Sequence, residues 1–199
     1  MIVDAGEAWW FDLPRVGRKP AVVCARHSGG PVGVGAGRPD PSARALLGSV
    51  QRRGRTSGPR PQVIVADASV VTDFLIGRPQ AIDALGELTE GREHDPLHAP
   101  ELVELETLNA LRRLARGGTL GERRAREAVA DLGRLRLVRY PHAPLRERVW
   151  DLRDVLTAYD ASYLALAEAL EDPLLVTGDR RLAVAARASL GPACVRQLS

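Results

Sequence analysis

Long apolar runs are missing from this 199-residue chain. No stretch approaches the ~20 consecutive apolar residues that cross a bilayer. The start carries Asp4 and Glu7 and has no apolar core of signal length before Pro14, so no secretory signal is expected. Cysteine is nearly absent. Cys24 and Cys194 stand alone, which excludes a disulfide framework and a cysteine metal site and makes a reducing, cytoplasmic setting the expectation. Lysine is scarcer still: Lys19 is the single lysine among 28 basic residues. A receiver-like domain with Asp67 as phosphoacceptor would need a lysine late in the chain, and none follows Lys19. Histidines are few and scattered. His27, His94, His98 and His142 show no ligand spacing, so surface or structural roles are expected, and none sits in a motif that would activate Ser69 as a nucleophile.

What is present is an ordinary globular balance, with 45% hydrophobic and 27% charged residues. The length suits one domain with an extension, or two small ones. The net charge of +3 is unevenly spread. Residues 1–60 hold 10 basic and 4 acidic side chains, a balance of +6. Residues 61–199 hold the other 18 and 21, a balance of −3, so the body has no overall charge that advertises nucleic acid. Residues 28–61 are rich in Gly, Pro, Ser and Arg; such a stretch buries little and reads as linker or arm. The glycines of GVGAGRP within it have no preceding strand and no lysine at the place a phosphate-binding loop requires.

From Gln62 onward the pattern changes to short apolar runs alternating with amphipathic segments. Strands are predicted at 63–66, 97–99, 135–140 and 173–177, with an edge strand at 194–198. Helices are predicted through 70–76, at 80–90, at 101–116 closed by Gly117 and Gly118, at 120–133, at 144–156, at 160–170 and at 179–188. Alternation of this kind predicts an α/β fold with a short central parallel sheet covered on both faces. The expected organisation is a hairpin-like segment at 1–27, a linker at 28–61 and a folded body at 62–199, the extension being largely irregular.

In open α/β sheets, ligands gather where strands end and the next helices begin. Asp67 directly follows the strand VIVA, Asp179 follows LLVT after one glycine, and Asp160 precedes the helix ASYLALAEAL. Taken singly, each is explained by helix capping; convergence of the three on one sheet edge would be functional. Glu106 is harder to explain as structure. Leu102 and Val103 lie one turn before it and Asn109 and Ala110 one turn after, whereas Glu101 and Glu104 suit a helix start and a solvated face. A carboxylate on a mostly apolar stripe must be paired with a cationic side chain or bound to a cation. A cluster of carboxylates with oxygen ligands alone favours Mg²⁺, or Mn²⁺, over zinc, and the chemistry that fits is phosphodiester hydrolysis with one ion or two.

These residues resemble the PIN-domain family. VIVADASVVTDFL resembles its opening strand and turn, with Asp67 and Ser69 in the D-x-S position. APELVELETLNALRRL places Glu106 in the second motif with Asn109 behind it, AYDASYLALAEAL places Asp160 in the third, and LLVTGDRRL places Thr177 and Asp179 in the fourth. The resemblance spans 61–199 and implies a three-layer α/β/α fold. It further implies the VapC-type toxin of a type II toxin–antitoxin pair: a Mg²⁺-dependent endoribonuclease, homodimeric, silenced by a small antitoxin. Asp67, Glu106, Asp160 and Asp179 would be its catalytic and metal-binding set. Ser69, Asn109 and Thr177 would support them, and Arg112, Arg113 and Arg180 would contact RNA phosphate or simply lie on solvated faces. A catalytically silent interaction module and a DNA nuclease remain the other readings. At about 5–27, GEAWWFDLPRVGRKPAVVCAR looks like the first hairpin of MazF/PemK-type toxins, without the rest of that barrel. Trp150, Tyr159 and Tyr163 are expected in the core or at a dimer contact rather than as base-stacking platforms.

Overall fold

A computed structural model describes residues 62–90 and 95–198, together with the backbone of two short strands near the N-terminus. Those two, β1 (Phe11–Leu13) and β2 (Gly17–Lys19), pair antiparallel with Asp12 opposite Arg18. The rest of the hairpin-like segment and the whole 28–61 linker lie outside the described residues.

The body is built on β3 (Val63–Ala66), β4 (Leu97–Pro100), β5 (Leu137–Tyr140), β6 (Pro173–Thr177) and β7 (Val195–Gln197). They form one parallel sheet in the order β5-β4-β3-β6-β7. Seven α-helices connect and flank them: α1 (Ala68–Ile76), α2 (Pro79–Thr89), α3 (Val103–Arg116), α4 (Glu122–Leu132), α5 (Arg146–Asp151), α6 (Ala158–Ala169) and α7 (Arg180–Leu190). α1 packs on α2, α3 and α4, and α6 packs on α5 and α7. The result is the three-layer α/β/α arrangement expected from the alternation of strands and helices.

The central strands β3, β4 and β6 are buried along nearly their whole length. Near-continuous apolar runs are what a parallel strand covered on both faces demands. The edge strands β5 and β7 are the ones that carry Arg139 and Arg196. Leu75, Leu111, Leu164, Leu175, Leu182 and Tyr163 are among the largest fully buried side chains, and each such aliphatic contributes about 1.5–3 kcal/mol by leaving water. α6 is buried almost all round, from Ala161 through Ala167, which makes it a core helix rather than a surface one.

Most helix boundaries shift by one or two residues from expectation, and three of the differences have a clear local reason. α3 begins at Val103 rather than at 101, because the Glu101 amide donates to the Tyr140 carbonyl at 2.9 Å and stays with the sheet. The expected helix at 144–156 is divided. A 3-10 turn (Ala143–Leu145) leads into α5, and α5 closes into tight turns with Arg153 N–H to Trp150 O and Val155 N–H to Leu152 O. Buried Leu152 and Leu156 anchor that turn. α6 then starts two residues earlier than expected, at Ala158, because Thr157 caps it.

His98 has the structural role expected of a scattered histidine. It is buried on β4, its Nδ1 lies 2.7 Å from the Tyr140 hydroxyl on β5, and the two rings stack. Among the described residues no helix is long and apolar enough to cross a membrane.

Candidate active site

The strand order turns around between β3 and β6: from β3 the chain moves outward through β4 to β5, then returns to the other side of β3. Ligand-binding crevices open at the carboxyl ends of strands at such a switch point. Asp67 and Thr177 stand at the ends of those two strands.

Asp67 occupies the N-cap position of α1 with extended backbone, yet its side chain makes no capping bond. Its Oδ2 instead accepts two hydroxyls, from Ser69 and Thr177, each at 2.7 Å. Both hydroxyls are themselves anchored. Ser69 Oγ accepts the Gly178 amide at 2.9 Å, and Thr177 Oγ1 accepts the Asp179 amide at 2.9 Å. Glycine suits position 178 because a Cβ there would lie 3.1 Å from Ser69 Oγ. Burial pushes the Asp67 carboxyl above its ordinary range; the two hydroxyl bonds oppose that shift and the charge of Asp160 adds to it.

Glu106 projects from the first turn of α3 and is half-buried. Its Oε2 accepts the Tyr163 hydroxyl of α6 at 2.7 Å, a bond between the two helix layers. Burial again raises this carboxyl, and the charges of both Asp67 and Asp160 raise it further. Asp160 is not a cap. It is the third residue of α6, where its amide donates to Thr157 Oγ1 at 3.2 Å while its carboxylate accepts the Thr157 hydroxyl at 2.8 Å. Asp67, Glu106 and Asp160 are thus brought within electrostatic reach of one another.

The other expected residues are placed differently. Asp179 is the N-cap of α7, its Oδ1 accepting the amides of Arg181 at 2.7 Å and Leu182 at 2.9 Å. For this aspartate the capping explanation is what the geometry displays. Asn109 is exposed three residues beyond Glu106, and its Oδ1 accepts Arg112 Nε at 3.2 Å and Nη2 at 3.0 Å. Arg113 and Arg180 are exposed. Of the aromatics, Tyr163 is fully buried, while Trp150 and Tyr159 are 67% and 63% exposed and so are not in the core.

Two residues that hold the carboxylates were not singled out for that role in the sequence. Thr157 could have been found, since T-x-x-D is the spacing of a capping box. Tyr163 had a weaker signal: it lies three residues after Asp160, on the same helix face, but nothing in sequence says that its hydroxyl meets a residue 57 positions earlier.

Among the described residues no Arg, Lys or His forms an ion pair with Asp67, Glu106 or Asp160. Three anionic side chains therefore lie near one another without a compensating cation, an oxygen-only donor set that suits a hard divalent ion. Among the described residues no three His, Cys, Asp or Glu side chains close into a finished metal cage. That is compatible with Mg²⁺, which keeps several waters and takes only one or two carboxylates directly.

A family model described as the PIN domain matches residues 64–188. The chain is 43% identical over 120 residues to a VapC ribonuclease of Mycobacterium bovis, covering 60% of this chain and 88% of that protein. It is 46% identical over 123 residues to Ribonuclease VapC1 of Mycobacterium tuberculosis, covering 61% and 89%. Ribonuclease VapC3 of the same organism is 33% identical over 120 residues, covering 60% and 85%.

Proposed function

Because the chain belongs to the PIN-domain family, as a VapC-type member, we propose that it is a Mg²⁺-dependent endoribonuclease and the toxin of a type II toxin–antitoxin pair. The observation that carries this reading is the unneutralised set Asp67, Glu106 and Asp160, coupled by charge at the switch point of the sheet. The relatives named as ribonucleases supply the substrate class.

In this reading one or two of Asp67, Glu106 and Asp160 would ligate the cation directly and the remainder would act through its bound waters. Bound there, Mg²⁺ or Mn²⁺ would acidify a water and offset charge on the phosphate oxygens. The protein's own part is positioning. Ser69 and Thr177 fix one oxygen of Asp67, and the Gly178 and Asp179 amides fix those hydroxyls in turn. Asp179 is the fourth acidic member, at the edge of the site. It adds negative charge there, and its cap on α7 steadies the loop that carries Thr177. Asn109 lies on the Glu106 face of α3 and supports that side. The exposed guanidinium groups of Arg112, Arg113 and Arg180 attract RNA phosphates. A small antitoxin silences the enzyme, and the working form is a homodimer.

The test is cleavage of single-stranded RNA by the purified full chain with Mg²⁺, with DNA of the same sequence alongside. Asp67→Asn and Asp160→Asn should each lower the rate on the order of a thousandfold, since a catalytic metal supplies several kcal/mol. Addition of EDTA should do the same to the parent. Undiminished cleavage by both variants would sink the reading, and equal cleavage of DNA would remove its RNA preference.

A further inference from the structure

The three carboxylates are held in one consistent way. Asp67 accepts the hydroxyls of Ser69 and Thr177, Glu106 that of Tyr163, and Asp160 that of Thr157. Arginine is abundant on the same body and does pair with carboxylates elsewhere, with Asp73, Glu104, Asp131 and Glu168 for example. Among the described residues it pairs with none of these three. The choice of donor has a chemical consequence. A guanidinium would fix a carboxylate in place and cancel its charge; a hydroxyl fixes it and leaves the full negative charge for another partner.

We propose that Tyr163 and Thr157 are positioning residues that keep the Glu106 and Asp160 carboxylates oriented for a divalent cation. This inference rests on the metal-dependent reading given above. Tyr163 is the stronger of the two. Its side chain is completely buried, so the ring is fixed by packing, and its hydroxyl donates to Glu106 at 2.7 Å. α6 supplies Asp160 and, three residues on, the hydroxyl that sets Glu106, so one rigid helix registers two members of the site. Thr157 is exposed and also caps α6; its hold on Asp160 is correspondingly looser. Preorganisation of this kind affects binding because a carboxylate that need not be reoriented loses less entropy when its ligand arrives.

Mn²⁺ titration calorimetry on the full chain tests this without any turnover. Tyr163→Phe keeps the ring and removes only the donor. It should bind Mn²⁺ about tenfold more weakly, the size expected for one lost hydrogen bond to a charged group. Thr157→Val should weaken binding roughly threefold, and Thr157→Ser should restore parental affinity, because a hydroxyl returns. The Thr157 pair decides the matter if Tyr163→Phe does not fold, as judged by circular dichroism. Parental affinity in both Tyr163→Phe and Thr157→Val, with binding lost in Asp67→Asn, would overturn the positioning role and leave the metal site standing. If the parent and Asp67→Asn give the same absence of heat, the metal reading falls and this inference falls with it.

Discussion

Asp131 and Asp67 are almost equally buried, 5% and 7% exposed, and the molecule treats them in opposite ways. Asp131, on the last turn of α4, has Arg124 and Arg134 each 3.6 Å away. Asp67, at the end of β3, has two hydroxyls and, nearby, two more carboxylates. A buried anion is tolerated when it is paired. Asp131 meets that condition within the chain and works as a structural link, since Arg124 also donates to the Leu75 carbonyl on α1. Asp67 does not meet it among the described residues. The difference separates a carboxylate paired with cations in the fold from one held by hydroxyls alone, and burial would not have distinguished them.

The largest way to test this contrast is to neutralise each aspartate in the metal-free protein. Asp131→Asn removes the buried anion shared by Arg124, which keeps Glu127 at 3.6 Å, and half-exposed Arg134, and should cost about 2 kcal/mol. Asp67→Asn removes a desolvated charge from among like charges and should raise stability by about 1 kcal/mol. Thermal melts in EDTA read both, and equal losses in the two variants would break the comparison. Adding Mg²⁺ sharpens it further: the parent should gain stability by mass action while Asp67→Asn gains none.

Much of this was legible in the sequence, because its signals were local. The run VIVA followed by Asp67, LLVT followed by Gly178 and Asp179, and the apolar neighbours of Glu106 marked the strand ends and the one misplaced carboxylate. Side-chain hydrogen bonds between distant elements were less legible. Asp67 and Asp179 look alike as residues after strands, and only the geometry shows that one caps its helix while the other is turned to Ser69 and Thr177. Tyr163 reads as a core aromatic, and it is one, but its hydroxyl has a second partner in Glu106 that periodicity cannot reveal. The division of the 144–156 helix escaped for a similar reason: Leu145, Leu152 and Leu156 keep helical spacing while the backbone between them tightens into turns.

A third buried titratable group extends the comparison to one that is kept neutral. Burial lowers His98 from an ordinary 6.5 to about 4 and pushes Tyr140 up to about 12. As pH falls below 6.5 the unfolded chain protonates at this histidine first, while the folded protein resists until about 4. Stability present above pH 6.5 is therefore lost progressively toward pH 4, by up to about 3 kcal/mol. Asp67 acts in the other direction. Its raised pKa means that the metal-free fold gains stability as pH falls through that value toward 3.8. Urea unfolding of the parent and of His98→Gln between pH 7 and pH 4 isolates the histidine. The variant should show a flatter dependence, and parallel curves would assign the acid sensitivity elsewhere.

The smallest effect is expected at Asp179, and it bears on the boundary between cap and site. Asp179→Ala removes two accepted amide bonds at the head of α7, a loss of about 1 kcal/mol for an N-cap. The Asp179 amide, which holds Thr177 toward Asp67, is retained in that variant because it belongs to the backbone. Mn²⁺ affinity should therefore fall by no more than about threefold, the scale of a modest change in local electrostatics, against full loss in Asp67→Asn. A loss at Asp179→Ala as complete as that at Asp67→Asn would place its carboxylate on the ion. Both capping amides use Oδ1, so Oδ2 would be the oxygen that reaches the ion, and capping would no longer mark an aspartate as lying outside the metal site.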